Sequence, residues 1–237
     1  MSLITNDKKG ILYGIGVGPG EAELMTLKGV RIIKECDIII LPAEKRENCH
    51  AYNIAKEADR DIEDKEIVCK KFLMTKDEKL LQKSHIQIAD DIEKYLNEDK
   101  KVGFLTIGDP SIYSTFAYVQ DILLARGQKV ETISGIPSFC AAAARLGISL
   151  SSGGNEIHII SANHDIEGTS EYKGTRIYMK SGRRLKELVS YLKKEEKLRK
   201  LNIYVIANCG MDNEKIWYCL PDESIPSEYL TIVIVKA

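Results

Sequence analysis

Apolar positions along the chain follow two rhythms. In the first half, short apolar runs at residues 11–17, 37–41, 66–69 and 102–107, and a further strand-like segment at 129–134, alternate with stretches whose apolar residues recur at helical spacing. The runs predict strands covered on both faces, and the stretches between them predict helices, so the alternation implies a parallel sheet with right-handed crossovers. Within residues 23–34, Leu24, Leu27, Val30 and Ile33 share one helical face and are expected to be core. Asn48 is placed to cap a short helix over residues 49–58. Thr75-Lys76-Asp77-Glu78 reads as a capping box, opening a long helix with Leu81, Ile88, Ile92 and Tyr95 along one side. A helix over residues 112–126 is stopped by Gly127.

After residue 135 the rhythm changes. Small residues over 139–145 predict one helix ending at Gly147, and residues 156–161, 175–180, 202–207, 214–219 and 230–235 then read as strands around one clear helix, 185–195. Strands that follow one another without helices imply antiparallel pairing. The expected fold is α/β in two domains, with an active-site cleft between them. Residues 1–135 form an N-terminal α/β domain, a parallel sheet with flanking helices and Gly-rich strand-end loops. Residues 136–237 form a C-terminal α+β domain with a mixed or antiparallel sheet, completing the cleft. A chain of 237 residues can bury two such cores.

Charge narrows the partners. With 34 basic and 35 acidic residues the formal charge is −1, so there is no global field to hold nucleic acid or an anionic membrane. The six cysteines, Cys36, Cys49, Cys69, Cys140, Cys209 and Cys219, include no CxxC pair, which argues against zinc and a redox dithiol. Cys49 and His50 diverge on a helix, His85 is expected to pack on a helix face, and His158 and His164 have no third ligand in view. No protein-bound metal is expected. The polar stretch at residues 1–10 has no apolar leader core, and the expected compartment is a reducing cytoplasm.

Three strand-end stretches carry candidate chemistry. The first, Gly14-Ile-Gly16-Val-Gly18-Pro-Gly20, invites comparison with a dinucleotide fingerprint. Glu21 stands where a third Gly would be, and Pro42 closes the second strand where a ribose-binding acid would be, so a nicotinamide site is disfavoured. The second is Gly108-Asp109-Pro110 after the strand at 102–107. Here Asp109 is expected to cap the next helix and Pro110 to sit in its first turn, at the end of a strand where open α/β sheets place ligands. An ordinary strand-to-helix turn explains these residues equally well. The third is Gly135-Ile-Pro-Ser138.

Together with Leu41-Pro42 and the tail Ser111-Ile-Tyr-Ser-Thr115, these motifs make the chain resemble the tetrapyrrole methylase family over almost its full length. The resemblance implies an S-adenosylmethionine (SAM)-dependent homodimer, with the cofactor held between two α/β domains. Residues 13–24 with residues 108–116 look most like enzymes that methylate C20 of precorrin-2 or of its cobalt-bearing counterpart. Uroporphyrinogen-III methylases usually have a second Gly before the Asp and aromatic residues after the Pro, where Ile107 and Ser111-Ile112 stand here. Carried across on matching motifs, the cofactor contacts are Pro19, Ile107, Gly108, Asp109, Ile112 and Ser138. Met179, Cys209 and Thr231 rest on a weaker correspondence at strand ends of the second half.

Methyl transfer from a sulfonium is an in-line displacement, so orientation and exclusion of water matter most. Loss of the C20 proton needs an acceptor, for which Asp109 and Tyr113 are candidates; no catalytic residue is assigned. Lys45, Arg46, Lys70, Lys71, Arg183 and Arg184 are candidates to meet substrate carboxylates, or are simply solvated charges. A methylase acting at C11 or C17 or on another substrate, a nucleotide-dependent oxidoreductase and a non-enzymatic tetrapyrrole-binding protein remain open.

Overall fold

A computed structural model describes residues 10–163, 165–220 and 230–236, the side chain of Arg183 excepted. The expectations for residues 1–9 and for His164 lie outside these. The chain divides into two compact units, Met1–Pro137 and Ser138–Ala237.

In the first unit, strands β1 (Ile11–Gly16), β2 (Ile38–Leu41), β3 (Glu66–Cys69), β4 (Lys101–Thr106) and β5 (Lys129–Ile133) form one sheet in the order β3-β2-β4-β1-β5. Every pairing in it is parallel. Helices α1 (Leu27–Glu35), α2 (His50–Ala58), α3 (Glu78–Asn97) and α4 (Phe116–Ala125) connect the strands. The period of two along each strand divides the core. Tyr13, Ile15, Ile39 and Leu105 pack with residues of α1 and α2, whereas Leu12, Ile38, Ile40 and Phe104 pack with residues of α3 and α4. Burying both faces explains why β1, β2 and β4 read as nearly unbroken apolar runs, whereas the edge strands β3 and β5 are largely half-buried or exposed. Phe104 and Phe116, each fully buried, contribute roughly 2–3 kcal/mol apiece.

Adjacent strands β1 and β4 send their following helices, α1 and α4, to opposite faces of the sheet. Where successive connections part in this way, a crevice opens at the carboxyl ends of the strands.

Several local expectations are corrected. The stretch 23–34 is a 3-10 turn, Ala22–Leu24, followed by α1, which Thr26 caps by accepting from the Gly29 amide at 3.0 Å. Leu27, expected in the core, is 92 % exposed because it occupies the first turn of a helix that starts later than its periodicity implied. Asp77, not Thr75, caps α3, accepting from the Lys79 and Leu80 amides, while Thr75 Oγ1 accepts from Asp77 itself. Asn48 closes a 3-10 turn, and Cys49 stands at the N-cap of α2 without a side-chain bond.

The second unit begins with α5 (Ser138–Leu146). Strands β6 (Ile157–Ser161), β7 (Thr175–Met179), β8 (Asn202–Ala207), β9 (Lys215–Trp217) and β10 (Thr231–Lys236) form a sheet in the order β6-β7-β10-β8-β9. Helix α6 (Leu185–Glu196) covers Tyr178, Ile203, Val205, Val233 and Val235 with Leu185, Leu188 and Leu192. The pairings of β10 with β7 and β8, and of β8 with β9, are antiparallel, but β6 and β7 are parallel. The sheet is therefore mixed, as the mixed or antiparallel expectation allows, and the parallel pair is the part that strand succession alone did not imply. The chain returns from β6 to β7 through a connection containing the 3-10 turn Thr169–Glu171.

Arg176 on β7 is fully buried and meets Glu195 of α6 in a two-pronged ion pair of 2.9 and 2.7 Å. Arg199 donates to the same carboxylate. Burial alone would raise the Glu195 carboxyl; Arg176 and Arg199 override it and hold the group below its ordinary value.

Candidate active site

Loops after β1, β4 and β5 meet, backbone against backbone, at the crevice end of the first sheet. Gly18 and Gly108 exchange both main-chain bonds, Gly108 N to Gly18 O at 2.7 Å and Gly18 N to Gly108 O at 3.3 Å. The two chains, parallel in the sheet, thus form an antiparallel bridge just past it. Gly18 needs its left-handed φ of 77° and Gly108 its φ of 72° for this turn. A Cβ on Gly135 would lie 2.2 Å from Gly108 O, and one on Gly16 would lie 2.5 Å from the same oxygen. Thr26 adds a side-chain tie, donating to Ser134 O at 3.3 Å.

Asp109 sits inside this junction, 8 % exposed. Its Oδ1 accepts from the Ser111 amide at 2.8 Å and from Ser111 Oγ at 2.5 Å, and its Oδ2 accepts from the Gly135 amide at 3.0 Å. The expectation that Asp109 caps α4 is therefore corrected. That helix starts at Phe116, whose amide donates to Ser114 Oγ at 3.1 Å, and Pro110 lies in the preceding turn. Helix geometry cannot begin at Ile112 because Tyr113 adopts φ 49°, a left-handed conformation that a bulky residue rarely takes.

The first unit thus brings Pro19, Ile107, Gly108, Asp109 and Ile112 onto the two loops flanking the crevice. Pro19, Gly108 and Asp109 are buried; Ile107 and Ile112 are half-buried. Tyr113, on the same loop, is 41 % exposed.

Within the second unit, Met179, Cys209 and Thr231 gather at one end of the sheet. Thr231 opens β10, paired with Ala207 of β8, and its carbonyl accepts from Ser181 Oγ at 3.1 Å just beyond Met179. Cys209 follows β8 by two residues and is buried. Ser138 is the first residue of α5. Two residues unremarked in the sequence mark the same sheet end: Lys180 (φ 55°) and Asn208 (φ 53°) are left-handed on either side of β10. Burial pushes the Lys180 ammonium below the ordinary lysine value. Glu214 anchors the Cys209 loop, accepting from the Gly210 amide at 2.8 Å and from Arg145 Nε at 2.9 Å.

Most of the basic residues considered for substrate carboxylates face acids of the protein itself. Lys70 pairs with Asp91 at 2.7 Å, Lys71 with Glu44 at 3.2 Å, Arg46 with Glu47 at 3.8 Å, and Arg184 with Glu187 at 2.7 Å. Lys45 is exposed. His158 Nε2 lies 3.1 Å from Glu156 and 3.0 Å from Lys173 O, with its ring stacked on Tyr172. Among the described residues, no three of His, Cys, Asp and Glu gather as a metal would require, and no helix is long and apolar enough to cross a membrane.

The sequence reading took Ser111 only as part of a motif tail, without its bonds to Asp109, and Gly16 and Gly135 only as members of glycine patterns. The missed signal was the Asp-Pro-Ser order itself, since an Asp bonding the backbone two residues on makes a local turn that competes with a helix cap.

The family described as Tetrapyrrole (Corrin/Porphyrin) Methylases matches residues 11–223. A Methanocaldococcus jannaschii protein described as "Probable cobalt-precorrin-2 C(20)-methyltransferase" is 35 % identical over 229 residues, covering 95 % of each chain. A Salmonella typhimurium cobalt-precorrin-2 C(20)-methyltransferase is 29 % identical over 154 residues, 64 % of this chain and 63 % of that one. Among solved structures, a cobalt precorrin-4 methyltransferase superposes with a TM-score of 0.76 at 16 % identity, covering 99 % of this chain and 98 % of that one. A uroporphyrin-III C-methyltransferase from Thermus thermophilus complexed with S-adenosylhomocysteine (SAH) gives 0.68 at 18 % identity, covering 96 % and 97 %. At these identities the structural likeness speaks for the fold alone.

Proposed function

The chain belongs to the tetrapyrrole methylases, and from that premise we propose that it is a SAM-dependent methyltransferase acting on C20 of precorrin-2 or its cobalt-bearing counterpart in cobalamin biosynthesis. The observation that carries the ring position is the 35 % identity to a C20-methyltransferase along 95 % of both chains. Gly16 and Gly135 let the loops pack main chain on main chain at the crevice end, which supports a built site where the reading puts the cofactor.

When bound, SAM supplies a methyl group on a sulfonium, open to displacement by an electron-rich ring carbon. The chain's own work is to bind and orient. Pro19, Ile107, Gly108, Asp109 and Ile112 contribute from the first unit, and Ser138, Met179, Cys209 and Thr231 from the second. Cys209 contributes through its main chain. Both oxygens of Asp109 already accept from the protein, and the reading takes the C20 proton to another acceptor. Displacement at a sulfonium needs no Lewis acid, and the reading includes no resident metal. The family resemblance supports a homodimer, and six free thiols suit a reducing cytoplasm.

Incubation with methyl-labelled SAM and either precorrin-2 or cobalt-factor II should give a trimethylated product by mass. No transfer to either substrate would refute the assignment.

A further inference from the structure

Asp109 is a buried carboxylate at the meeting of the three glycine loops. Three donors converge on it: the Ser111 amide and hydroxyl on Oδ1, and the Gly135 amide on Oδ2. A proton acceptor needs a lone pair directed at the substrate, and a ligand contact needs an exposed edge. This side chain, buried to 8 % exposure, spends its oxygens on its own turn and on the loop after β5.

What the carboxylate holds in place is main chain. It fixes the turn that follows Gly108, and Gly108 is stitched to Gly18 and presses its carbonyl against Gly16 and Gly135. Tension at one of these loops therefore reaches the other two. Charge-assisted bonds from backbone amides to a buried carboxylate are among the stronger restraints available to a loop.

We propose that Asp109 is a positioning residue, whose carboxylate locks the β4 loop to the β5 loop and so presents the main chain around Gly108 to the cofactor, without touching the cofactor or accepting the substrate proton. The proposal rests on the SAM reading above and refines the role of one residue within it.

The test combines Asp109→Asn, Ser111→Ala and the double variant. SAH affinity is measured by calorimetry, and steady-state methyl transfer is followed across pH. Asn keeps one acceptor oxygen and turns a donor toward one of the two anchors, so Asp109→Asn should weaken SAH binding about tenfold. Ser111→Ala alone should weaken it about threefold, and the double variant should be no weaker than Asp109→Asn, because both act through the same turn. At saturating SAM, the pH profile of kcat should keep both of its limbs at their wild-type positions, whatever the height of the profile. Full affinity in Ser111→Ala beside weak binding in Asp109→Asn would mean that Asp109 touches the cofactor. Collapse of kcat with the loss of one limb of the pH profile would make it the proton acceptor.

Amide hydrogen exchange reads the lock without any ligand. Asp109→Asn should speed exchange in residues 108–112 and 134–136 by about tenfold or more while the rest of the first sheet keeps its protection. Unchanged exchange there would overturn the proposal even if wild-type protein bound no SAH, an outcome that would by itself defeat only the SAM reading. Should Asp109→Asn fail to fold, Ser111→Ala carries the same exchange measurement.

Discussion

Gly135→Ala is the smallest substitution that probes the glycine junction. The backbone of Gly135 is not left-handed, so alanine meets no conformational penalty there, and any cost is steric. The new methyl would lie 2.2 Å from Gly108 O and 2.8 Å from Gly16 C, both main-chain atoms with no rotamer to give way. Restoring ordinary contact requires the loops to part by roughly 1 Å, which carries the 3.0 Å Asp109–Gly135 bond and the 3.3 Å Gly18–Gly108 bond past hydrogen-bonding range. A bond to a carboxylate is worth about 1.5–3 kcal/mol and a neutral one about 1 kcal/mol, so the expected loss is about 2.5–4 kcal/mol. Gly127→Ala supplies the comparison. Its φ is 75° and nothing lies within 4 Å of its Cβ position, so it should cost only about 1 kcal/mol of backbone strain. Urea unfolding midpoints for the two variants, with SAH calorimetry on each, check the argument. If Gly135→Ala lowers the midpoint no more than Gly127→Ala and binds SAH as well as wild type does, the loops are not packed as described.

Two further predictions concern the cores. Glu195→Ala strands a fully buried arginine and should destabilise by about 3–5 kcal/mol. Because the folded Glu195 carboxyl is held below its unfolded value of 4.5, the stabilisation is complete above that pH and fades as pH falls through the lowered value. An acid-unfolding titration should accordingly show a shallower acid slope in Glu195→Gln than in wild type, and identical slopes would refute the assignment. In the first core, burial pushes the Cys36 thiol up to about 12. Brief alkylation of native protein at neutral pH, read by peptide mass, should label exposed Cys140 and Cys219 and spare Cys36; prompt labelling of Cys36 would contradict its burial.

What could be read from the chain depended on how local the cause was. The doubly covered strands announced themselves, because burial on both faces demands apolar runs whatever the tertiary details. Helix starts were less legible. Leu27 has the right spacing for the core, yet the chain inserts a 3-10 turn and a new cap at Thr26 that rotate it outward. At Thr75 and Asp109 the residue types were right and the partners wrong: each polar side chain had two backbone targets in reach, and only the tertiary path of the loop chooses between them. Parallel pairing of β6 with β7 is a long-range choice that no periodicity encodes. The glycine motifs showed where a site should be. That Gly16, Gly108 and Gly135 press on one another is a property of three distant segments, absent from any one of them.

The bridge between Gly18 and Gly108 also divides what can vary from what cannot. Everything on the strand side of that clip is locked in step with the sheet, and Ser111 and Ser114 are tied back to it through Asp109 and Thr106, whereas the short outer segment around Tyr113, itself 41 % exposed, stands beyond. Changes in that outer segment need not disturb the register behind the clip. A lineage could rewrite the outer stretch to suit a new ring position while inheriting the methyl-donor end intact, and a protein engineer could graft it between relatives as a replaceable tip.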